Sequence, residues 1–360
     1  MSTLRRYFAH EIYRASAFAM IAFLALFAFF DMVNELDELG TGSYRLRHAF
    51  EFVALSMPGH VYELFPVAVL VGTLVALSTI AANSEYTVMR VSGASLLQVG
   101  WSLVRIGIPL SLVTFLAGEF VAPQAALLSL SVRAQAMGDT TRVVAQQFRS
   151  GFWFKQDQTF VNIRSVPADL TLVGISIYEF DDDFRLRSVR VADTGSFAGN
   201  GQWHLKAVRS TEIALTGTKT TQTDSFTWNS VLRPSLLTVY QVAPEKLELN
   251  TLWENMQLLG AGTQKTTRLE IAFWNKIFYP AAVLVMMIVA LPFSYFQRRQ
   301  GGVGFRIFVG TMLGLSFFLT GRLFSNLGVL NDWPALFSAA FPLVAFITMT
   351  ASMLWWLERR

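Results

Sequence analysis

The run Ile277–Phe296 reads IFYPAAVLVMMIVALPFSYF, twenty residues without a formal charge. A helix of that length spans about 30 Å, the thickness of a bilayer's hydrocarbon core. Trp333–Leu357 is likewise uncharged and long enough to cross with some tilt. Four further runs, Ala15–Phe30, Val61–Ala82, Leu96–Val121 and Arg306–Val329, also read as spans, although Glu63, Arg105, Glu119 and Arg322 interrupt or edge them. Three spans therefore precede, and three follow, a middle stretch that has none. The composition agrees: of 360 residues 53% are apolar and 15% charged, where soluble domains carry about a quarter charged residues. The first run differs from a signal peptide because Asp31 and Glu35 follow it, not a small-residue cleavage site.

Basic residues in short flanks stay on the cytoplasmic side. With the N-terminus inside, Arg5, Arg6 and Arg14, then Arg90, then Arg298, Arg299 and Arg306, and finally Arg359 and Arg360 all fall there. The opposite flanks hold Asp31, Glu35, Asp37, Glu38, Glu51 and Asp332, with Arg45 and Arg47 dissenting. Both termini are thus expected in the cytoplasm and the middle segment outside.

From about Arg142 to Ser230 short runs rich in Val, Ile, Phe, Trp and Thr alternate with Gly, Asp and Asn turns, the texture of antiparallel β structure. Candidate strands are Gly151–Lys155, Thr159–Val166, Leu172–Phe180, Phe184–Phe197, Gln202–Leu215 and Thr220–Trp228, with Asn200-Gly201 as a hairpin turn. Six short strands suggest a sandwich or jelly roll. Val173, Ile175 and Ile177 fall on one face and Leu172, Tyr178 and Phe180 on the other, so both faces are partly apolar. Either neighbouring strands or membrane bury both, or the domain holds a groove for an apolar ligand. A short amphipathic helix near Thr251–Leu259 leads back to the membrane. The expected division is 1–125 with three spans, 126–265 with the β domain and linker helix, and 266–360 with three more.

Several function classes drop out. The absence of cysteine excludes a disulfide framework, a thiolate metal site and a cysteine nucleophile. A net charge of +4 without a basic stripe does not fit a nucleic-acid binder. Gly262-Thr263-Gln264-Lys265-Thr266-Thr267 lacks the second glycine of a phosphate loop, and His10, His48, His60 and His204 lack metal-ligand spacing. Nothing resembles G-x-S-x-G or S-x-x-K, and no tandem repeat relates the two halves.

Charge in or near hydrocarbon is more informative, because it is costly unless it meets protein, water or a functional cavity. Arg322 lies beyond the apolar run Ile307–Thr320. Two readings stand: the guanidinium snorkels to the outer interface, or it holds a phosphate bidentately. Phe318, one turn earlier, and Lys276 join it as candidate substrate contacts, while Glu119, Glu63 and Lys276 are expected near outer ends, where they can pair. In the cytoplasmic connection, Asn83 or Ser84 can cap a short helix that Gly93 ends, placing Glu85, Val88, Met89 and Ser92 on one face. It is either an ordinary surface helix or a helix that docks in a partner's groove.

Six segments in this order carry a family resemblance: Ser84-Glu85-x-x-Val88-Met89-x-x-Ser92-Gly93, Gly118-Glu119-x-Val121-Ala122-Pro123-Gln124, Arg133-Ala134-Gln135-Ala136-Met137, Gly174-Ile175-Ser176-Ile177-Tyr178, Leu186-x-Ser188-Val189-Arg190 and Trp274-x-Lys276-Ile277-Phe278-x-Pro280. Over essentially its whole length the chain resembles the LptF/LptG permeases of the lipopolysaccharide exporter, and the G-type subunit more than the F-type. The resemblance implies a permease that extracts lipopolysaccharide from the inner membrane and passes it to a periplasmic bridge. The implied partners are an F-type subunit, two copies of a cytoplasmic LptB-like ATPase, an LptC-like bitopic protein and an LptA-like bridge. ATP and magnesium would bind the ATPase, with no cofactor in this chain. The β jelly roll becomes a periplasmic conduit for lipid A, the loop at 84–93 a coupling helix with Glu85, Val88 and Met89 toward the ATPase, and Arg133 a contact for substrate phosphates.

One departure stands out. Where relatives carry lysines past the first span, this chain has Asp31, Asp37 and Glu38. Phosphate binding is then expected to move to Arg45, Arg47 and Arg322, or to pass through divalent cations. Two other readings remain at this stage. One is an F-type paralogue or a permease for another envelope lipid; the other is a membrane-anchored β scaffold that transports nothing.

Overall fold

The computed structural model describes residues 2–82, 96–137, 151–167, 171–199, 201–214, 217–230, 232–234, 237, 243–261, 265–296 and 303–359. All six expected spans are helical. They are α1 (Ser2–Leu36), α2 (Leu46–Ala82), α3 (Leu96–Leu116) continued through a π-helical turn (Ala117–Val121) into α4 (Ala122–Met137), then α6 (Thr267–Phe296), α7 (Val303–Leu330) and α8 (Ala335–Glu358). The shorter helix α5 (Leu249–Ala261) precedes α6. Several helices outrun the apolar runs that announce them. The 37 residues of α2 measure about 55 Å, well beyond the hydrocarbon.

The chain divides into two compact units, one of 1–33, 53–125 and 267–360, the other of 34–52 and 126–266. In the first unit the helices are not equally enclosed. Over their most apolar stretch α2 buries 67% and α6 56%, while α1 and α7 each bury 11%. The enclosed core joins Leu70, Leu74, Leu103, Val283, Met286 and Val289. Close approach relies on small residues, as expected where lipid removes the hydrophobic drive between helices. A Cβ on Gly72 of α2 would meet the backbone of Ser16 on α1, and one on Gly310 or Gly314 of α7 would meet Val71 or Val67 on α2. Carbonyls near helix prolines are put to use as well: Ser111 donates to the Pro280 carbonyl at 2.7 Å, and Tyr279 to the Glu63 carbonyl at 2.5 Å.

The second unit carries six antiparallel strands, β1 (Phe152–Gln156), β2 (Thr159–Ser165), β3 (Leu172–Phe180), β4 (Leu186–Gly199), β5 (Gln202–Ala214) and β6 (Gly217–Asn229). They pair in chain order as one meander, so the Greek-key crossings of a jelly roll are not among the described strands. Asp157, at φ 53°, makes the two-residue turn that closes Gln156 onto Thr159. One sheet face carries Val161, Ile163, Ile175 and Ile177, each at most 1% exposed, together with Trp203 and Leu205, and α5 packs Leu258 and Leu259 against this cluster. Trp203 Nε1 donates to the Leu232 carbonyl at 2.9 Å. The apolar face read as a groove is therefore filled by its own side chains. The opposite face keeps half-buried Tyr178 stacked on exposed Trp153 with ring centres 5.8 Å apart.

Within this sheet Glu179 accepts hydrogen bonds from Ser188 and Arg190. Burial works to raise its pKa, but those bonds and the charges of Arg190 and Arg187 outweigh it and hold the carboxyl below its ordinary range.

Candidate functional site

The acidic stretch at the end of α1 is partly paired from within the chain. At the end of α1, Glu35 is 4% exposed and accepts a hydrogen bond from the Tyr44 hydroxyl at 2.6 Å. Arg133, on α4, reaches both Glu35 at 3.3 Å and Glu38 at 3.0 Å, and its guanidinium lies 5.4 Å from the centre of the Phe52 ring. Burial, and then the hydrogen bond and charge of Glu35, push the Tyr44 hydroxyl far above its usual range, so it stays a donor. Ser43 fastens the same loop to α4, its backbone N–H and hydroxyl both donating to the Ala136 carbonyl at 2.8 and 2.6 Å. The loop needs glycine at 42, where φ is +61° and a Cβ would collide with the Met137 backbone. Two carboxylates against one guanidinium leave the cluster net acidic. Arg133 is a paired cation, not a free one.

The other acids of this stretch divide. Asp31 meets His60 at 2.6 Å, with the His60 ring 5.1 Å from that of Phe27. Asp37 is exposed. Arg45 and Arg47 are exposed too, and Arg47 pairs with Glu51 at 2.8 Å one helical turn away.

Arg322 stands differently. It is exposed on α7, eight residues before the helix ends at Leu330, and its guanidinium sits 4.7 Å from the centre of the Phe318 ring. Among the described residues no carboxylate pairs with it. Cation and ring four residues apart on one helix face form a flat, positive surface suited to a phosphate. Lys276 is the reverse case. It is 5% exposed and meets Glu119 at 3.0 Å, one of the pairings left open by the sequence. Glu119 lies in the π turn, where the next residue down, Gly118, leaves room for the Tyr62 ring, and Tyr62 stacks 4.6 Å from Tyr279. An extra residue per turn aims Glu119 at α6. Lys276 is thus held by the helix bundle, and a contact with substrate would require that pair to open.

Glu85, Val88 and Met89 lie outside the described residues. Among the described residues no group of three His, Asp or Glu side chains could hold a metal ion. Sequence reading singled out Arg133, Arg322 and Phe318 but missed Tyr44 and Phe52, and it took Glu35 only as a topology marker. The glycines at 40 and 42 signal a turn, yet nothing in the chain's order says that this turn meets a helix 93 residues away.

Comparison with known proteins bears on the site's role. The family described as lipopolysaccharide export system permease LptF/LptG matches residues 6–359. Among relatives, the lipopolysaccharide export system permease protein LptG of Escherichia coli (strain K12) is 34% identical over 362 residues, covering 99% of this chain and 98% of that protein. The protein of the same name from Haemophilus influenzae is 30% identical over 361 residues, covering 100% and 99%.

Proposed function

Because this chain belongs to the LptF/LptG family of lipopolysaccharide export permeases and is similar over nearly its full length to members named LptG, we propose that it is the G-type half of an inner-membrane exporter whose exposed Arg322 receives a substrate phosphate. That the chain is a multi-pass membrane permease subunit follows from the family and its six apolar helices. The finer reading adds an F-type subunit, two LptB-like ATPases that bind ATP and magnesium, an LptC-like bitopic protein and an LptA-like bridge. Both termini are cytoplasmic and the sheet is periplasmic.

One observation carries the proposal: a guanidinium on a membrane helix, exposed, with an aromatic ring as its neighbour and no carboxylate pairing with it among the described residues. A charge so placed is costly unless it reaches interfacial water or meets an anion from outside the chain, and we take the second reading. A lipid A phosphate has the charge and oxygen geometry for a bidentate contact, and Phe318 offers apolar surface to the adjoining acyl region. Arg45 and Arg47, exposed on the outer flank, supply further positive charge, and Arg133 becomes available once its carboxylates are displaced. Lys276 contributes through its hold on Glu119. Upward passage then requires the β unit to exchange its packed apolar contacts for acyl chains. Glu85, with Val88 and Met89, transmits the ATPase stroke.

Arg322→Glu tests the reading. Export is expected to fall by more than about tenfold, the factor set by losing a charge-assisted bidentate contact, while the complex still assembles. Arg322→Lys should retain part of it. Wild-type export by Arg322→Glu would overturn the assignment. Glu85→Lys should insert normally yet fail to retain the ATPase, and intact association with export would remove the coupling role.

A further inference from the structure

We infer that Glu35 and Glu38 are positioning residues that occupy Arg133 in place of a substrate phosphate and so set how strongly this chain holds its lipid. The inference rests on the reading that Arg133 meets phosphate, and it deepens that reading by naming what the phosphate must displace. The guanidinium's two terminal nitrogens each face a carboxylate oxygen, at 3.3 Å to Glu35 and 3.0 Å to Glu38. That is the arrangement two oxygens of one phosphate would adopt.

The two carboxylates are unequal. Glu35 is buried and fixed by the Tyr44 hydroxyl, whose raised pKa keeps it a donor. Glu38 is a third exposed and holds Arg133 with no second side chain fixing it among the described residues. An incoming phosphate can therefore displace Glu38 while Glu35 keeps the guanidinium in place over Phe52. Losing Glu38 also removes a like charge that repels the phosphate. A permanently free arginine would hold the anion tightly, whereas one with a competing carboxylate returns to its internal partner when the phosphate leaves. Release, which a transporter needs as much as capture, is built into the site.

The test uses the whole exporter complex in nanodiscs, with lipid A bearing two phosphates or none as the probe. Lipid retained after washing is measured for the wild type, Glu38→Gln, Glu38→Ala and Arg133→Gln. Both Glu38 variants should retain about threefold more bisphosphorylated lipid A, the factor a partly exposed ion pair is worth, with no change for the dephosphorylated form. Arg133→Gln should lose the phosphate-dependent part. If the Glu38 variants leave retention unchanged or lower it while Arg133→Gln still removes the phosphate dependence, the carboxylates do not compete and the inference fails. If Arg133→Gln leaves the phosphate dependence intact, Arg133 does not meet phosphate, and the reading beneath the inference fails with it. A merely structural role for Glu38 would change both lipids alike, which also overturns the inference.

Discussion

Arg133 lies between the carboxylates of Glu35 and Glu38, whereas Arg322 is exposed on α7 with the Phe318 ring as its neighbour. Both are arginines expected from sequence to meet substrate, and only their surroundings separate them. The contrast shows that the acids past the first span do not all stand as free negative charge. Glu35 and Glu38 are taken up in holding Arg133 and Asp31 in pairing with His60, while Asp37 stays exposed. Net charge along a segment therefore says little about its behaviour toward phosphate until each charge has been matched with its partner. Lys276 and Arg47 extend the comparison to a deeply buried pair and a surface one.

The largest expected effect is at Lys276. Its replacement by alanine removes the cation 3.0 Å from Glu119 inside the helix bundle and should cost about 3–5 kcal/mol, read as a fall in the thermal midpoint of the detergent-solubilised complex. The double variant Lys276→Met, Glu119→Leu should recover most of that loss. Equal stability of Lys276→Ala and the wild type would mean that the pair is not a bundle lock, erasing its difference from Arg322. Arg322→Gln, in contrast, should leave the midpoint nearly unchanged while lowering export, because no carboxylate is left behind among the described residues.

A smaller effect follows from Glu179. Its pKa is lower folded than unfolded, so its contribution to stability is complete above the unfolded carboxylate range and is lost as pH falls through the folded value. Glu179→Gln should therefore be less stable than the wild type at neutral pH, and the gap between their thermal midpoints should close as pH is lowered through the carboxylate range. A gap that widens on acidification would contradict the stated sign. The smallest effect is expected at Arg47, whose bond to Glu51 lies in solvent; Arg47→Ala should not change the midpoint measurably.

The spans were legible because twenty uncharged residues admit few alternatives in water, and Ile277–Phe296 lies whole within α6. The strands were legible for a similar reason: Leu172–Phe180 alternates between turn-forming residues, and β3 has those same limits. Helix ends were less so. The third span runs on through the π turn to Met137, past the point where its apolar character fades and the β domain was expected to begin, because Pro123 near the start of a helical segment does not break it. No local pattern assigns 34–52 to the unit that holds the sheet. Arg133 and Glu38 are 95 residues apart, and their pairing depends on where a glycine turn meets a helix end, which no local pattern encodes. Arg322 was easier to find because a charge that interrupts an apolar helix is conspicuous wherever the helix packs.

The central claim is that Arg322 receives a phosphate of the exported lipid. The most direct measurement is photocrosslinking of lipid A from p-benzoylphenylalanine placed at exposed Leu319, in the assembled exporter, with Arg322 present or replaced by glutamine. Crosslinking should be strong with bisphosphorylated lipid A and fall to the level of the dephosphorylated lipid in Arg322→Gln. Equal crosslinking of both lipids, unaffected by loss of Arg322, would contradict the account.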